Sequence, residues 1–141
     1  MVDANVKLTA EAVSAYNDLH SRKIAYTWIR MGFSDDLKQV ELQETGGPDA
    51  TFSELLAVVP KDRTSFIVYN LEYKTLEGQH RNPVLIVTYS DDDTNKAKEK
   101  MLASSTTKQV KTQCKNFNNY ACINDRSDLD YENFIKIVSK K

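Results

Sequence analysis

Apolar residues first recur at helical spacing at Ala12, Val13 and Tyr16, with Leu19 one turn on, behind a Thr9 whose hydroxyl suits a helix start. This pattern predicts a helix ending near Ser21. The β-branched and aromatic residues from Ile24 to Phe33 then predict a strand, and Ser34-Asp35-Asp36 a turn into a second strand in which Val40 and Leu42 alternate with polar neighbours. Gly46-Gly47-Pro48-Asp49 closes that hairpin. Thr51 with Glu54 three residues on has the spacing of a capping box before Leu55, Leu56 and Val58, so a short helix follows, stopped by Pro60. From Ser65 to Tyr73, Phe66 and Val68 fall on one face and Ile67, Tyr69, Leu71 and Tyr73 on the other; Val84 to Tyr89 has the same two-sided character. Strands apolar on both faces belong inside a sheet covered by helices on each side.

Asp91-Asp92-Asp93 places negative charge ahead of a long helical stretch from about Thr94 to Phe117, with a buried stripe at Ala103, Val110, Cys114 and Phe117. Ser104-Ser105-Thr106-Thr107, four poor helix formers, is expected to interrupt it. Tyr120 to Ile123 reads as a closing strand, and Asp128 or Asp130 as the cap of a last helix carrying Phe134, Ile135 and Val138. The 141 residues suffice for one core and no repeat or linker divides them, so residues 1–141 are expected to form a single domain.

Charge narrows the function classes. Nineteen Lys and Arg against twenty Asp and Glu leave a formal charge of −1, which excludes a general basic field for nucleic acid. No apolar stretch approaches the roughly 20 residues of a membrane span, and Met1 to Asn5 has no export pattern. With Cys114 and Cys122 as the only cysteines, expected as small core fillers, a reducing cytoplasm fits. His20 and His80 stand alone, Asp91 to Asp93 lacks the alternate spacing of a calcium loop, and no nucleophile elbow or phosphate loop is present. The reading is therefore a non-enzyme without metal or cofactor. The concentrated chemistry lies in the long helix, where Lys96, Lys98, Lys100, Lys108, Lys111 and Lys115 accompany a single acid, Glu99, and adjoin the adaptable Met101. That segment has no interleaved aromatic for stacking bases, which argues for anionic lipid or an acidic protein over nucleic acid.

Gly46-Gly47-Pro48 with Ala50-Thr51, Tyr69, Leu71-Glu72-Tyr73, Gly78, Arg81-Asn82, Thr88-Tyr89-Ser90, Lys98-Glu99-Lys100-Met101, Ser105, and Asp125 through Tyr131 together resemble the actin-depolymerising factor/cofilin family, in order over nearly the whole chain. The resemblance implies an α/β fold of the α+β type, a central mixed β-sheet sandwiched between helices. It implies a protein of the actin cytoskeleton that binds actin monomers and filament sides and promotes severing and subunit loss, with phosphoinositide lipids as further ligands and a monomeric state. Carried over by position, the surface met by monomer and filament comprises Asp3, Ala4, Asn5, Val6, Lys98, Lys100, Met101, Ser105, Lys108 and Lys111, and the filament-side surface Arg81, Lys136 and Lys140. The chain departs from the family pattern at Tyr89, at Pro83 and Ile137, where filament-side charge is lost, and at Ala4 or Asn5, where the regulatory serine falls. A coactosin-like filament binder without severing activity is the alternative; Lys115-Asn116-Phe117 with Asp125-Arg126 is similar to it, while Lys100-Met101 favours cofilin.

Overall fold

A computed structural model describes residues 7–34, 38–60, 63–91, 97–114 and 117–139, without the side chains of residues 97, 98 and 100. Thr9 caps the first helix as its position suggests: its side-chain oxygen accepts the Ala12 N–H, and α1 (Ala10–Ser21) buries Ala12, Ala15, Tyr16 and Leu19. Arg22 ends it in the left-handed region at φ 63, its N–H donating to the Leu19 carbonyl. The strand expected from Ile24 begins only at Trp28. Between Arg22 and Tyr26 the backbone is occupied by turns, Ile24 N–H donating to Asp18 and Tyr26 N–H to the Ile24 carbonyl, and Thr27 is the first residue of this stretch bonded across the sheet, to Gly46 and Asn70.

The sheet is mixed. Strands β1 (Lys7–Leu8), β2 (Trp28–Phe33), β3 (Gln39–Gly46), β4 (Ser65–Asn70), β7 (Val84–Tyr89) and β8 (Asn119–Ile123) lie in the order β1-β3-β2-β4-β7-β8, while β5 (Tyr73–Lys74) and β6 (His80–Arg81) form a separate ribbon. The two outer pairs, β1 with β3 and β7 with β8, are parallel and the inner ones antiparallel. The expected strand from Ser65 to Tyr73 stops at Asn70: the Leu71 N–H still donates to the Pro83 carbonyl in register with β7, but Pro83 has no N–H to return and the ladder ends there.

The alternation read from β4 and β7 divides the core as expected. Phe66, Val68 and Ile86 face α1 and α3 (Ala97–Gln113), and Ile67, Tyr69, Leu85 and Val87 face α2 (Phe52–Val58) and α4 (Tyr131–Ser139). Thr51 caps α2 by accepting the Glu54 N–H. Arg126 holds the other end, donating to the Leu56 and Val59 carbonyls while lying over the Tyr89 ring. Phe134 anchors α4 edge-on against Phe52 and Tyr69, and Asp130 stands just before that helix. The Asp91 carboxylate accepts from the Tyr89 hydroxyl inside the protein; Asp92 and Asp93 lie outside the described residues.

Gly46 pairs with Trp28, and a Cβ at Gly46 would stand 2.5 Å from the indole ring. That ring is buried and its Nε1–H donates to the Thr51 carbonyl, so it has little room to yield. Gly46→Ala should cost about 1–3 kcal/mol as an overpacked core, read as a lower urea midpoint with unchanged slope; an unchanged midpoint would show that the ring moves freely.

Candidate functional site

Helix α3 runs unbroken for 17 residues, against the expected interruption at Ser104 to Thr107. Two of the hydroxyls there are satisfied inside the helix, Ser105 donating to the Met101 carbonyl at 3.1 Å and Thr107 to the Ala103 carbonyl at 2.9 Å, while the Thr106 hydroxyl is buried without a hydrogen-bond partner among the described residues. Glu99, Ala103, Thr106, Val110 and Cys114 make the core-facing side. Met101, Ser105, Lys108 and Thr112, at spacings of four, three and four, form the opposite ridge, and all are exposed. Met101 is 74% exposed, an apolar group kept in water on a rigid helix. The helical stretch expected to reach Phe117 closes at Gln113; Phe117 leaves it, half-buried, and packs beside the α1/α3 layer.

The far end of α3 is pinned by an aromatic group that lysine spacing alone could not reveal. Tyr120 of β8 lies under Lys111, whose Nζ stands 4.3 Å from the ring centre. Its hydroxyl is hydrogen-bonded to Thr107 Oγ1 at 2.9 Å and to Thr88 Oγ1. Gln113 also ties α3 to β1, its Oε1 accepting the Leu8 N–H at 2.9 Å. Cys122 corrects another expectation. Only Cys114 is a core filler, whereas Cys122 is exposed because β8 is an edge strand, its thiol donating to the Tyr120 oxygen at 3.7 Å.

A second surface lies at the other end of the sheet. The β5–β6 ribbon turns through Gly78 at φ +83, with Thr75 N–H donating to Gln79 and Gly78 N–H to Thr75. Leu76 at its tip is fully exposed, an apolar residue that sequence reasoning passed over because no periodicity marks a single leucine in a turn. Between ribbon and α4 runs an open groove of about 910 Å³, lined among others by Leu76, Arg81, Pro83, Ile135 and Val138. Arg81 is exposed and donates to Gln79 Oε1 at 2.6 Å, and Lys136 is exposed on α4. Pro83 stands immediately before β7, its carbonyl accepting from Leu71. Ile137 is half-buried against the α2/α4 layer, so its apolar character is explained by packing and not by charge lost from open surface.

The structure thus brings Met101, Ser105, Lys108 and Lys111 onto one exposed side of α3 and Arg81 to the second surface, while Lys136 is exposed on α4. Lys98 and Lys100 lie in the first turn of α3 by backbone alone. Asp3, Ala4, Asn5, Val6, Lys96, Lys115 and Lys140 lie outside the described residues. His20 packs its ring on Tyr16, and His80 pairs with Glu72 at 3.1 Å. Among the described residues, no three His, Cys, Asp or Glu side chains gather as metal ligands, and no helix is long and apolar enough to cross a membrane.

The family model described as cofilin/tropomyosin-type actin-binding protein matches residues 5–139. The chain belongs to this family. Its members bind actin and are not enzymes, so binding surfaces, rather than a reaction centre, are the features to explain. Among relatives, actophorin of Entamoeba histolytica is 29% identical over 97% of this chain and 99% of its own, and a cofilin of Gibberella zeae is 26% identical over 99% and 97%. A cofilin structure from Streptomyces griseoflavus superposes with a TM-score of 0.83 at 22% identity, covering 95% of this chain and 97% of that one. The ADF/cofilin of Trypanosoma brucei does so at 0.78 and 25% identity over both whole chains. Human coactosin-like protein shares the fold at 0.75 and 20% identity, covering 96% of this chain and 89% of its own.

Burial pushes the Tyr120 hydroxyl up to about 12 from its ordinary 10, with Thr107 and Thr88 opposing. The folded protein then keeps this proton where the unfolded chain releases it, so the associated stability is intact below pH 10 and is lost as pH rises toward 12. Tyr120→Phe, which orphans the Thr88 hydroxyl and leaves Thr107 only its bond to the Ala103 carbonyl, should cost about 1–3 kcal/mol at neutral pH. The gap to the unaltered protein should narrow at high pH in paired thermal melts; a constant gap would contradict the assignment.

Proposed function

We propose that this chain binds both actin monomers and the sides of actin filaments, and promotes filament severing and subunit loss. The observation that carries the reading is the exposed ridge of unbroken α3, in which the apolar Met101 is flanked by Ser105, Lys108 and Lys111. An apolar anchor ringed by cations suits an acidic protein surface, the anchor supplying affinity and the charges steering encounter. Lys98, Lys100 and the segment Asp3, Ala4, Asn5 and Val6 complete this monomer-and-filament surface, and Arg81, Lys136 and Lys140 form the filament-side surface, to which Leu76 adds an apolar point. In this reading residues 1–141 act as one monomeric domain in the cytoplasm, and phosphoinositides compete for the α3 cations.

Lys98→Ala with Lys100→Ala should weaken binding to monomeric and filamentous actin alike, by about 2–5 kcal/mol if both charges are desolvated at the interface, with little change in thermal midpoint. Titration of fluorescent monomer and filament co-sedimentation check this, and unaltered monomer affinity would remove these lysines from the surface. Severing is read separately, as breaks per filament length by microscopy; filaments decorated but unbroken would make this a side-binding protein only.

Pro83 borders the filament-side groove without charge and without an N–H to lose, so Pro83→Lys adds a cation beside Arg81. An exposed rim charge contributes about 0.2–1 kcal/mol. Filament co-sedimentation and severing should rise by that amount with monomer affinity unchanged; an unchanged filament-to-monomer ratio would reduce Pro83 to the residue that starts β7.

A further inference from the structure

Between residues 96 and 115, Glu99 is the only acid among six lysines. In such a run an acid ordinarily stays in water as a counter-charge. Here Glu99 lies on the core side of α3 and is 4% exposed. Its Oε1 accepts from Arg63 Nε at 2.7 Å and its Oε2 accepts the backbone N–H of Thr64 at 3.0 Å. Arg63 in turn donates through Nη2 to the Phe33 carbonyl at 3.3 Å. The end of β2, the residues leading into β4 and the first turn of α3 therefore meet on one carboxylate.

This attachment has a direction that apolar packing lacks. Ala103, one turn on, is too small to key the rotation of the helix, and Leu102 is only half-buried at the side of the layer. Two bonds to different partners fix both the height and the roll of the first turn. Met101 lies about 200° around the helix from Glu99, so any roll about the axis swings Met101 through the same angle on the outer side.

We infer that Glu99 is a positioning residue: held by Arg63 and Thr64, it fixes the roll of the first turn of α3 and so the direction in which Met101 meets actin. The inference rests on the reading of α3 as an actin-facing surface, and it concerns a residue that touches nothing on that surface itself.

The test is a cycle of monomer-actin affinities for the unaltered protein, Glu99→Gln, Met101→Ala and the double variant. Glu99→Gln keeps the shape but turns an amide N–H₂ toward a donor, Arg63 or Thr64. It should weaken binding about tenfold, and the double variant should bind no more weakly than Met101→Ala alone, since a mispresented anchor that is already gone cannot be lost again. Arg63→Lys keeps the charge but not the fork of donors, and should give the same non-additive pattern if Glu99→Gln folds poorly. Leu55→Ala, in the core of the opposite layer, is the stability control and should leave affinity unchanged at a temperature where every variant is folded. Unchanged affinity in Glu99→Gln and Arg63→Lys, a full tenfold loss added on top of Met101→Ala, or an equal loss in Leu55→Ala would each overturn the inference. If Met101→Ala weakens binding and the Glu99 and Arg63 variants do not, only the positioning role fails; if Met101→Ala binds normally, the reading of the surface fails with it.

Discussion

A strand that is apolar on both faces cannot leave either face to water. Every residue of Val84–Tyr89 is buried, as are all but the last of Ser65–Asn70, and at about 25 cal/mol for each Å² of apolar surface one bare face of two such strands would cost more than a domain's net stability. Helices must therefore lie on both sides, and each must turn an apolar stripe inward. For α3 that stripe is Ala103, Val110 and Cys114. Its opposite side is free to carry Met101 and the lysines because the inner side already meets the demands of the sheet. Exposure of the Met101 ridge is a by-product of how the core is closed.

The same constraint accounts for the distribution of charge. On a molecule with a formal charge of −1, cations matter by placement and not by number. Where a charge is turned inward it is held by directed bonds. Glu99 meets Arg63 and Thr64, and Arg30 of β2 donates to Gln43 and Ser65. Gln43 reaches Arg30 because it is the extra residue where the β2–β3 register shifts, and because Gly32 leaves its side chain room. Polar groups inside this fold join elements that the apolar layers alone would leave free to slide.

Much of this was legible in the residues because it depends on short-range periodicity. The Thr9 and Thr51 caps, the two-sided strands β4 and β7, and the stripe of α3 each follow from neighbours within one helical turn or one pleat. What was illegible depends on partners far along the chain. Glu99 reads as a solvated counter-charge until Arg63, 36 positions away, is seen beside it. Tyr120 reads as an ordinary strand aromatic until Lys111 is found over its ring. The serine and threonine run was misread for a local reason: low helix propensity is a small effect against a buried face, and the Ser105 and Thr107 hydroxyls find carbonyls inside the helix. Of the candidate site, Met101, Ser105, Lys108 and Lys111 could be placed on one side from spacing; the exposed tip at Leu76 could not, since a turn has no period to read.

Parallel strands cannot be joined by a tight turn, and β7 reaches its parallel neighbour β8 only by way of α3. At the opposite edge of the sheet, β1 gives its Leu8 N–H to Gln113 near the end of the same helix. One helix thus fastens both margins of the sheet. If α3 lifts from the core, β1 and β8 lose their tether together, so the element that carries the Met101 ridge should open with both edges as one cooperative unit and not fray alone. Such an opening would bare two unpaired strand edges at once, which are templates for self-association, so the ridge and the protein's protection against aggregation stand or fall on the same seventeen residues.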